Sequence, residues 1–288
     1  MNTEKESISD SQWTMVIKPK RGLFEIDVRE IWSYKDLIEL FVRRDFVARF
    51  KQTILGPLWF LIGPLLSTFV YFMVFNSIAK ISTDGAPPIL FYLSGIVAWN
   101  YFAACLNGTS GTFAANAGIF GKVYFPRLVS PIATIISNLV QFGIQFLLLL
   151  GVLGYYGLVT QTTGINLTAL LIPIYLLILA MIGFGTGIII SALTTKYRDL
   201  VQLMSFGVQL WMYATPIIYP VSMVPENFRI FVMLNPVAPL VEAFKYSLLG
   251  TGNFNLAGLM YSCGFAIFIV LVGILLFNKV EQTFMDTV

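Results

Sequence analysis

The run LVSPIATIISNLVQFGIQFLLLLGVLGYYGLVTQTTGINLTALLIPIYLLILAMIGFGTGIIISALTT, Leu128 to Thr195, contains no Asp, Glu, Lys or Arg. It divides into two apolar stretches, Leu128–Gly157 and Leu167–Thr194. Each exceeds the about 20 helical residues that cross a hydrocarbon core. Working outward, the runs Gln52–Ala79, Gly85–Gly121 and Tyr246–Asn278 also lack charged residues. Barrel strands alternate apolar with polar over about ten residues, whereas these runs are continuously apolar, so helices are expected. The chain as a whole is 57% hydrophobic and 11% charged, against roughly 25% charged in an ordinary soluble domain. These features define an all-α membrane protein.

Six spans are expected, at about 58–78, 89–106, 128–157, 167–194, 201–219 and 256–277. An even count places both termini on one side. Lys and Arg sort accordingly: ten precede Gln52 and five more, Lys122, Arg127, Lys196, Arg198 and Lys279, fall on the same side, leaving only Lys80, Arg229 and Lys245 opposite. The positive-inside rule makes the fifteen-residue side cytoplasmic. Residues 220–255 hold two short apolar runs, Phe228–Leu234 and Leu240–Leu249, separated by Asn235, Pro236 and Pro239. Neither can span, and the prolines break the helix, so a pair of short re-entrant helices is expected between spans five and six. The one compositional boundary divides a cytoplasmic arm, residues 1–52, from a transmembrane domain, residues 53–288. The first 50 residues lack the pattern of a cleaved signal peptide, so the arm is expected to stay attached.

Several function classes are disfavoured by what the chain lacks. It has no histidine and no Walker-type phosphate loop, so ATP hydrolysis by this chain is not expected. Gly183 and Gly187 lie deep in an apolar run, where close helix packing suits them better than nucleotide binding. No expected span carries an ionisable relay residue, which disfavours proton or sodium coupling. Asp45, Asp199 and Glu242 are isolated carboxylates, a poor basis for a surface transferase. Cys105 and Cys263 read as buried thiols, and the net charge of +3 requires no nucleic-acid partner.

Tyr34 to Lys51 has helical spacing, with Tyr34, Leu37, Ile38, Phe41 and Ala48 on one stripe and Lys35, Asp36, Glu39 and Arg43 opposite. Such an amphipathic helix lies along a membrane face. Asp45 interrupts the stripe and Arg44 sits near its edge. Two readings of Arg43, Arg44, Arg49 and Lys51 stand open: snorkelling onto anionic lipid, or contact with a phosphate-bearing substrate or partner.

Ordered short motifs run along the chain. Val28–Pro64 carries Trp32, Tyr34, Leu37, Arg43-Arg44-Asp45, Arg49, Lys51-Gln52, Leu55-Gly56-Pro57-Leu58-Trp59 and Pro64. Next come Gly121 to Arg127 with Pro131, then Tyr197-Arg198-Asp199, Thr215 to Pro220, and Asn235-Pro236 with Phe244 and Leu248-Leu249-Gly250. From Val28 onward the set resembles the ABC-2 type polysaccharide export permeases, which export O-antigens, capsules or teichoic acids. The resemblance implies a homodimer in the bacterial inner membrane, joined to two copies of a separate ATPase. That partner holds ATP and magnesium, and this chain binds no cofactor or metal.

By the same resemblance the loop at about 107–127 couples to the ATPase, through Asn116, Phe120, Gly121, Lys122, Tyr124, Phe125, Pro126 and Arg127. A short stiff segment with aromatic anchors and cations suits a rigid-body push. An interface belt with the positive-inside bias is the plainer account of the same residues. The arm then lies at the entrance for a lipid-linked polymer, with Arg43, Arg44, Arg49 and Lys51 near its pyrophosphate, since guanidinium pairs well with phosphate oxygens. Sugars bind aromatic faces, and Tyr71, Trp99, Tyr101, Trp211, Tyr213 and Tyr219 are the channel-lining candidates. The expected function is export of lipid-linked polysaccharide, O-antigen first. A drug or lipid permease, a membrane glycosyl- or acyltransferase and an anchoring scaffold are the alternatives.

Overall fold

The computed structural model describes residues 28–287 apart from 52, 121, 161–163, 198 and 253. Residues 1–27 of the expected arm, and Gln52, Gly121 and Arg198 among the motif positions, lie outside the described residues. Every regular element described is helical. Helix α1 (Val28–Ser33) and α2 (Lys35–Phe50) form the arm. A short 3-10 turn, Gly56–Leu58, opens α3 (Trp59–Tyr71), which continues as a π-helical stretch, Phe72–Ile78. Then follow α4 (Pro88–Ser110), α5 (Thr112–Phe120), α6 (Val129–Thr160) and α7 (Ile172–Thr194). The chain ends with α8 (Leu200–Tyr213), α9 (Glu226–Leu234), α10 (Ala238–Leu249) and α11 (Leu256–Thr287).

Among the described residues, five segments are long and apolar enough to cross a membrane: Gly56–Ile78, Pro88–Ser110, Val129–Val159, Leu167–Thr194 and Leu256–Val280. The chain is therefore a multi-pass membrane protein. The expected fifth span, 201–219, differs in form. Its helix α8 stops at Tyr213, and 14 residues rise only about 21 Å, short of a hydrocarbon core of about 30 Å. The cause is local: Pro216 pushes the preceding residue out of the α region, and Ala214 to Tyr219 continue as turns and bends.

Two short helices, α9 and α10, occupy the stretch where short apolar runs are separated by prolines. Asn235 is extended (φ −75°, ψ 111°) ahead of Pro236 and ends α9. Pro239 sits in the first turn of α10, where a missing N–H costs nothing. Gly250 ends α10 in the left-handed region at φ 70°, with its N–H bonded to Tyr246 O at 3.0 Å.

The core forms around α4, whose apolar window is 78% buried within a single chain; the corresponding figure for the first span is 17%. Helices α3, α6, α7, α8 and α10 all pack on α4, and α11 packs on α7. Close approach between helices in lipid needs small residues, and the spacing at Gly183 and Gly187 predicts this. A Cβ at Gly187 would collide with Thr109 Oγ1 and lie 2.8 Å from Leu106 O, both on α4. On the opposite side of α7, a Cβ at Gly185 would lie 2.8 Å from the Ile269 backbone on α11. One helix therefore presents glycines to two neighbours.

Candidate functional site

At the arm-side end, α2 is held against the bundle by apolar contacts. Phe41 is 5% exposed and meets Phe125 edge-on at 5.8 Å. Tyr34, Leu37 and Ile38 pack on the same cluster, whose other members include Phe113, Phe120, Phe125 and Phe277. The expected stripe is thus real over its first two turns. Ala48 departs from it and is exposed; beyond Asp45 the helix makes its contacts with α6 and α3 through Arg49 and Phe50. There Phe50 packs edge-on against Phe60 at 4.8 Å.

The four arm cations do not converge on one point. Arg44 pairs with its neighbour Asp45 at 2.9 Å and lies over the Phe41 ring at 4.5 Å. Arg49 donates to Gln141 Oε1 on α6 at 2.6 Å and lies 5.7 Å from the Phe60 ring centroid. Arg43 and Lys51 are exposed. Asp45, the charge that interrupts the stripe, shares a small cavity with Arg49, Phe60 and Ser137.

The segment expected to couple is a short helix followed by an irregular tip. Helix α5 is bolted at two places. Asn116 is 6% exposed, and its Nδ2 donates to Thr112 O at 2.9 Å and to Ser130 Oγ at 2.8 Å. The Phe113 N–H donates to Ser191 Oγ on α7 at 3.2 Å. Phe113 also stacks on Phe277 of α11 at 4.4 Å. Phe120, Phe125 and Pro126 are buried, with Arg127 over Phe120 at 5.6 Å. What projects is Ile119, Lys122, Val123 and Tyr124. Tyr124 OH reaches Glu30 Oε1 of α1 at 3.5 Å, so the tip and the arm touch.

The aromatic candidates divide by environment. Trp99 and Tyr101 are each 4% exposed and pack inside the chain, against Phe102 and Phe142 respectively. Trp211 is half-buried against Phe102 and donates from Nε1 to Asn235 Oδ1 at 2.9 Å. Tyr71 is half-buried with its OH 3.6 Å from Met212 Sδ, Tyr213 is 49% exposed, and Tyr219 lines an apolar groove of 480 Å³ with Phe228 and Phe231.

The far end holds polar groups that sequence reasoning missed or misjudged. Asn235 accepts from Trp211 Nε1 and from Val237 N–H, and donates to Ala214 O at 3.2 Å and Thr215 Oγ1 at 2.9 Å. Lys245, grouped above with the outer charges, is only 4% exposed. Its ammonium donates to Pro216 O at 2.7 Å and Ile217 O at 3.1 Å, and sits 3.5 Å from the Phe91 ring centroid. Burial pushes this lysine down to about 7, against the opposing pull of Glu242 and Asp84. Glu242, read as isolated, lies within Coulombic reach of Lys245 and beside the Val221 backbone; burial raises its carboxyl. The signal for this pair was the spacing of 242 and 245, one turn apart on a single helix.

Residues 36–249 match the ABC-2 type transporter family. The chain belongs to that family. It is 30% identical over 252 residues to the O-antigen export system permease protein RfbA of Klebsiella pneumoniae, covering 87% of this chain and 94% of the relative. The protein of the same name from Myxococcus xanthus is 28% identical over 76% of this chain and 82% of its own length. The polysialic acid transport protein KpsM of Escherichia coli is 23% identical over 88% of this chain and 96% of its own.

Proposed function

We propose that the chain is the permease subunit of an ATP-driven exporter that moves a lipid-linked polysaccharide, O-antigen first, outward across the bacterial inner membrane. The observation that carries this is the match to O-antigen export permeases along nearly their whole length, at 30% identity, above the 23% to the polysialic acid transporter. The permease itself is non-catalytic and works as a homodimer with two ATPase subunits. The second copy meets the sparsely buried first span and α8, whose exposed apolar side chains include Leu66, Phe69, Met73, Phe206 and Leu210. In this arrangement α8 with residues 214–220 serves as the sixth crossing, and α9 and α10 dip into the outer leaflet. Both termini are then cytoplasmic, as the distribution of Lys and Arg favours.

ATP closure in the partner pushes on Ile119, Lys122, Val123 and Tyr124, and the bolts at Asn116 and Phe113 carry that push into α6 and α7. Arg43, Arg44, Arg49 and Lys51 are the candidates for the lipid pyrophosphate; Arg43 and Lys51 are exposed, while Arg44 pairs with Asp45 and Arg49 with Gln141. Of the aromatics, Tyr71, Tyr213 and Tyr219 have faces left for a passing sugar chain. The test is deletion of the gene. Lipid-linked polymer is expected to accumulate inside the cell while the surface loses polysaccharide, and plasmid-borne copies restore it. A deletion strain with normal surface polysaccharide refutes the proposal.

A further inference from the structure

The corner that follows α8, Pro216 to Ser222, is held by polar side chains from two other parts of the chain. From α10 come Lys245, on the Pro216 and Ile217 carbonyls at 2.7 and 3.1 Å, and Glu242, beside the Val221 backbone. From the segment between α3 and α4 comes Asp84, whose two carboxylate oxygens accept from Ser222 Oγ at 2.9 and 2.8 Å. Asp84 occupies the left-handed region at φ 52°, a conformation that Asp tolerates better than most residues but that still costs energy. The clasp is fitted closely against α4. A Cβ at Gly95 would lie 2.9 Å from Lys245 Cε and 3.1 Å from Ile217 Cγ2.

Carbonyls in a turn have no helix partner, and in an apolar setting each unsatisfied one is expensive. Lys245 satisfies two of them, and the Phe91 ring adds a cation–π contact. Breaking a buried charge from its partners is strongly unfavourable. The corner therefore separates from α10 far less readily than it moves with it.

We infer that Lys245 is a positioning residue for export: with Glu242, Asp84 and Ser222 it makes the corner after α8, α10 and the segment after α3 a single rigid outer lid. The lid moves as one body when polymer leaves. This rests on the export function proposed above, and wild-type complementation of a deletion strain tests that function separately.

The experiment compares Lys245→Met, which keeps the stem and removes the donors, with Lys245→Arg, which keeps donors and charge. Each is expressed in the deletion strain and purified with the partner ATPase. Lys245→Met is expected in the membrane at the wild-type level, with ATP turnover per complex unchanged and surface polymer reduced about tenfold. Lys245→Arg is expected to restore at least half of the export. A general folding defect would lower membrane level and turnover together.

A second variant pairs Asp84→Cys with Ser222→Cys and joins them with a short bifunctional thiol reagent, the parent with its native Cys105 and Cys263 serving as control. Joined and unjoined forms are expected to export equally, because the two segments do not part. Normal export by Lys245→Met, a parallel fall in turnover and export, or arrest by the crosslink each overturns the inference. Should Lys245→Met fail to accumulate, equal export by the joined and unjoined cysteine pair supports the rigid lid, and arrest refutes it.

Discussion

Replacing Asn235 by Ala removes four hydrogen bonds from one side chain that is 7% exposed. The two lost acceptances matter most. Val237, with its N–H 3.0 Å from Asn235 Oδ1, is fully buried and cannot turn to water, whereas Trp211 Nε1 sits on a half-buried ring. A buried donor left unmet costs about 1–3 kcal/mol, and the half-buried indole falls at the low end. The Ala214 carbonyl and the Thr215 hydroxyl lose less, since Thr215 Oγ1 keeps its bond to Trp211 O at 2.8 Å. The sum is about 2–4 kcal/mol. Asn235→Asp should be no milder, because a carboxylate would face the Ala214 carbonyl where an amide now donates. Thermal unfolding in detergent, followed by tryptophan fluorescence, should fall by roughly 5–15 °C at the usual conversion for a chain of this size. Asn107→Ala, at an exposed position, should stay within about 0.5 kcal/mol of the parent. An Asn235→Ala variant that melts with the parent would refute the claim that Asn235 holds the corner after α8.

Three further outcomes are expected. Gly187→Ala should lower the melting temperature through overpacking of about 1–3 kcal/mol, whereas Gly143→Ala, with nothing within 4 Å of the new Cβ, should be neutral or gain up to about 1 kcal/mol in helix propensity; equal melting of the two would sink the close α4–α7 contact. Val123→Asp changes a residue 58% exposed at the tip after α5, so stability should hold while ATPase recovered with the permease falls about tenfold, the loss of one interface anchor. Undiminished recovery would remove the tip from the coupling surface. Changing Arg43, Arg44 and Arg49 together to Gln should cut export with the protein level unchanged, and unchanged export would take the arm out of substrate handling.

The helices were legible because their ends carry chemistry that acts locally. Pro88 and Pro239 open helices, Gly250 closes one, and Pro216 and Pro236 end α8 and α9 through the residue before them. Hydropathy marked where a helix is apolar, but not how far it stays helical. The run at 201–219 carries no charge throughout, yet its last residues are turns. The close-packing glycines of α7 were legible at Gly183 and Gly187. Their counterpart at Gly185 was not, because α11 approaches from the other side and no local spacing records a second neighbour.

The polar sites resisted for a different reason. A lysine on a short helix between spans is normally read as reaching water, and Lys245 would do so if α10 lay on a surface. Nine of the twelve positions of α10 are instead buried, and the helix packs on α4 and α7, so the ammonium has only protein around it and must find acceptors there. The turn after α8 supplies them, because Pro216 and Ile217 expose carbonyls that no helix uses. Each half of the clasp thus corrects a deficit in the other, and neither half alone announces it. The same geometry accounts for the aromatics. Helix α4 is packed by α3, α6, α7, α8 and α10, so it carries no apolar stripe to show which way Trp99 and Tyr101 face; both turn inward, which leaves Tyr71, Tyr213 and Tyr219 as the candidates of the sugar-chain proposal.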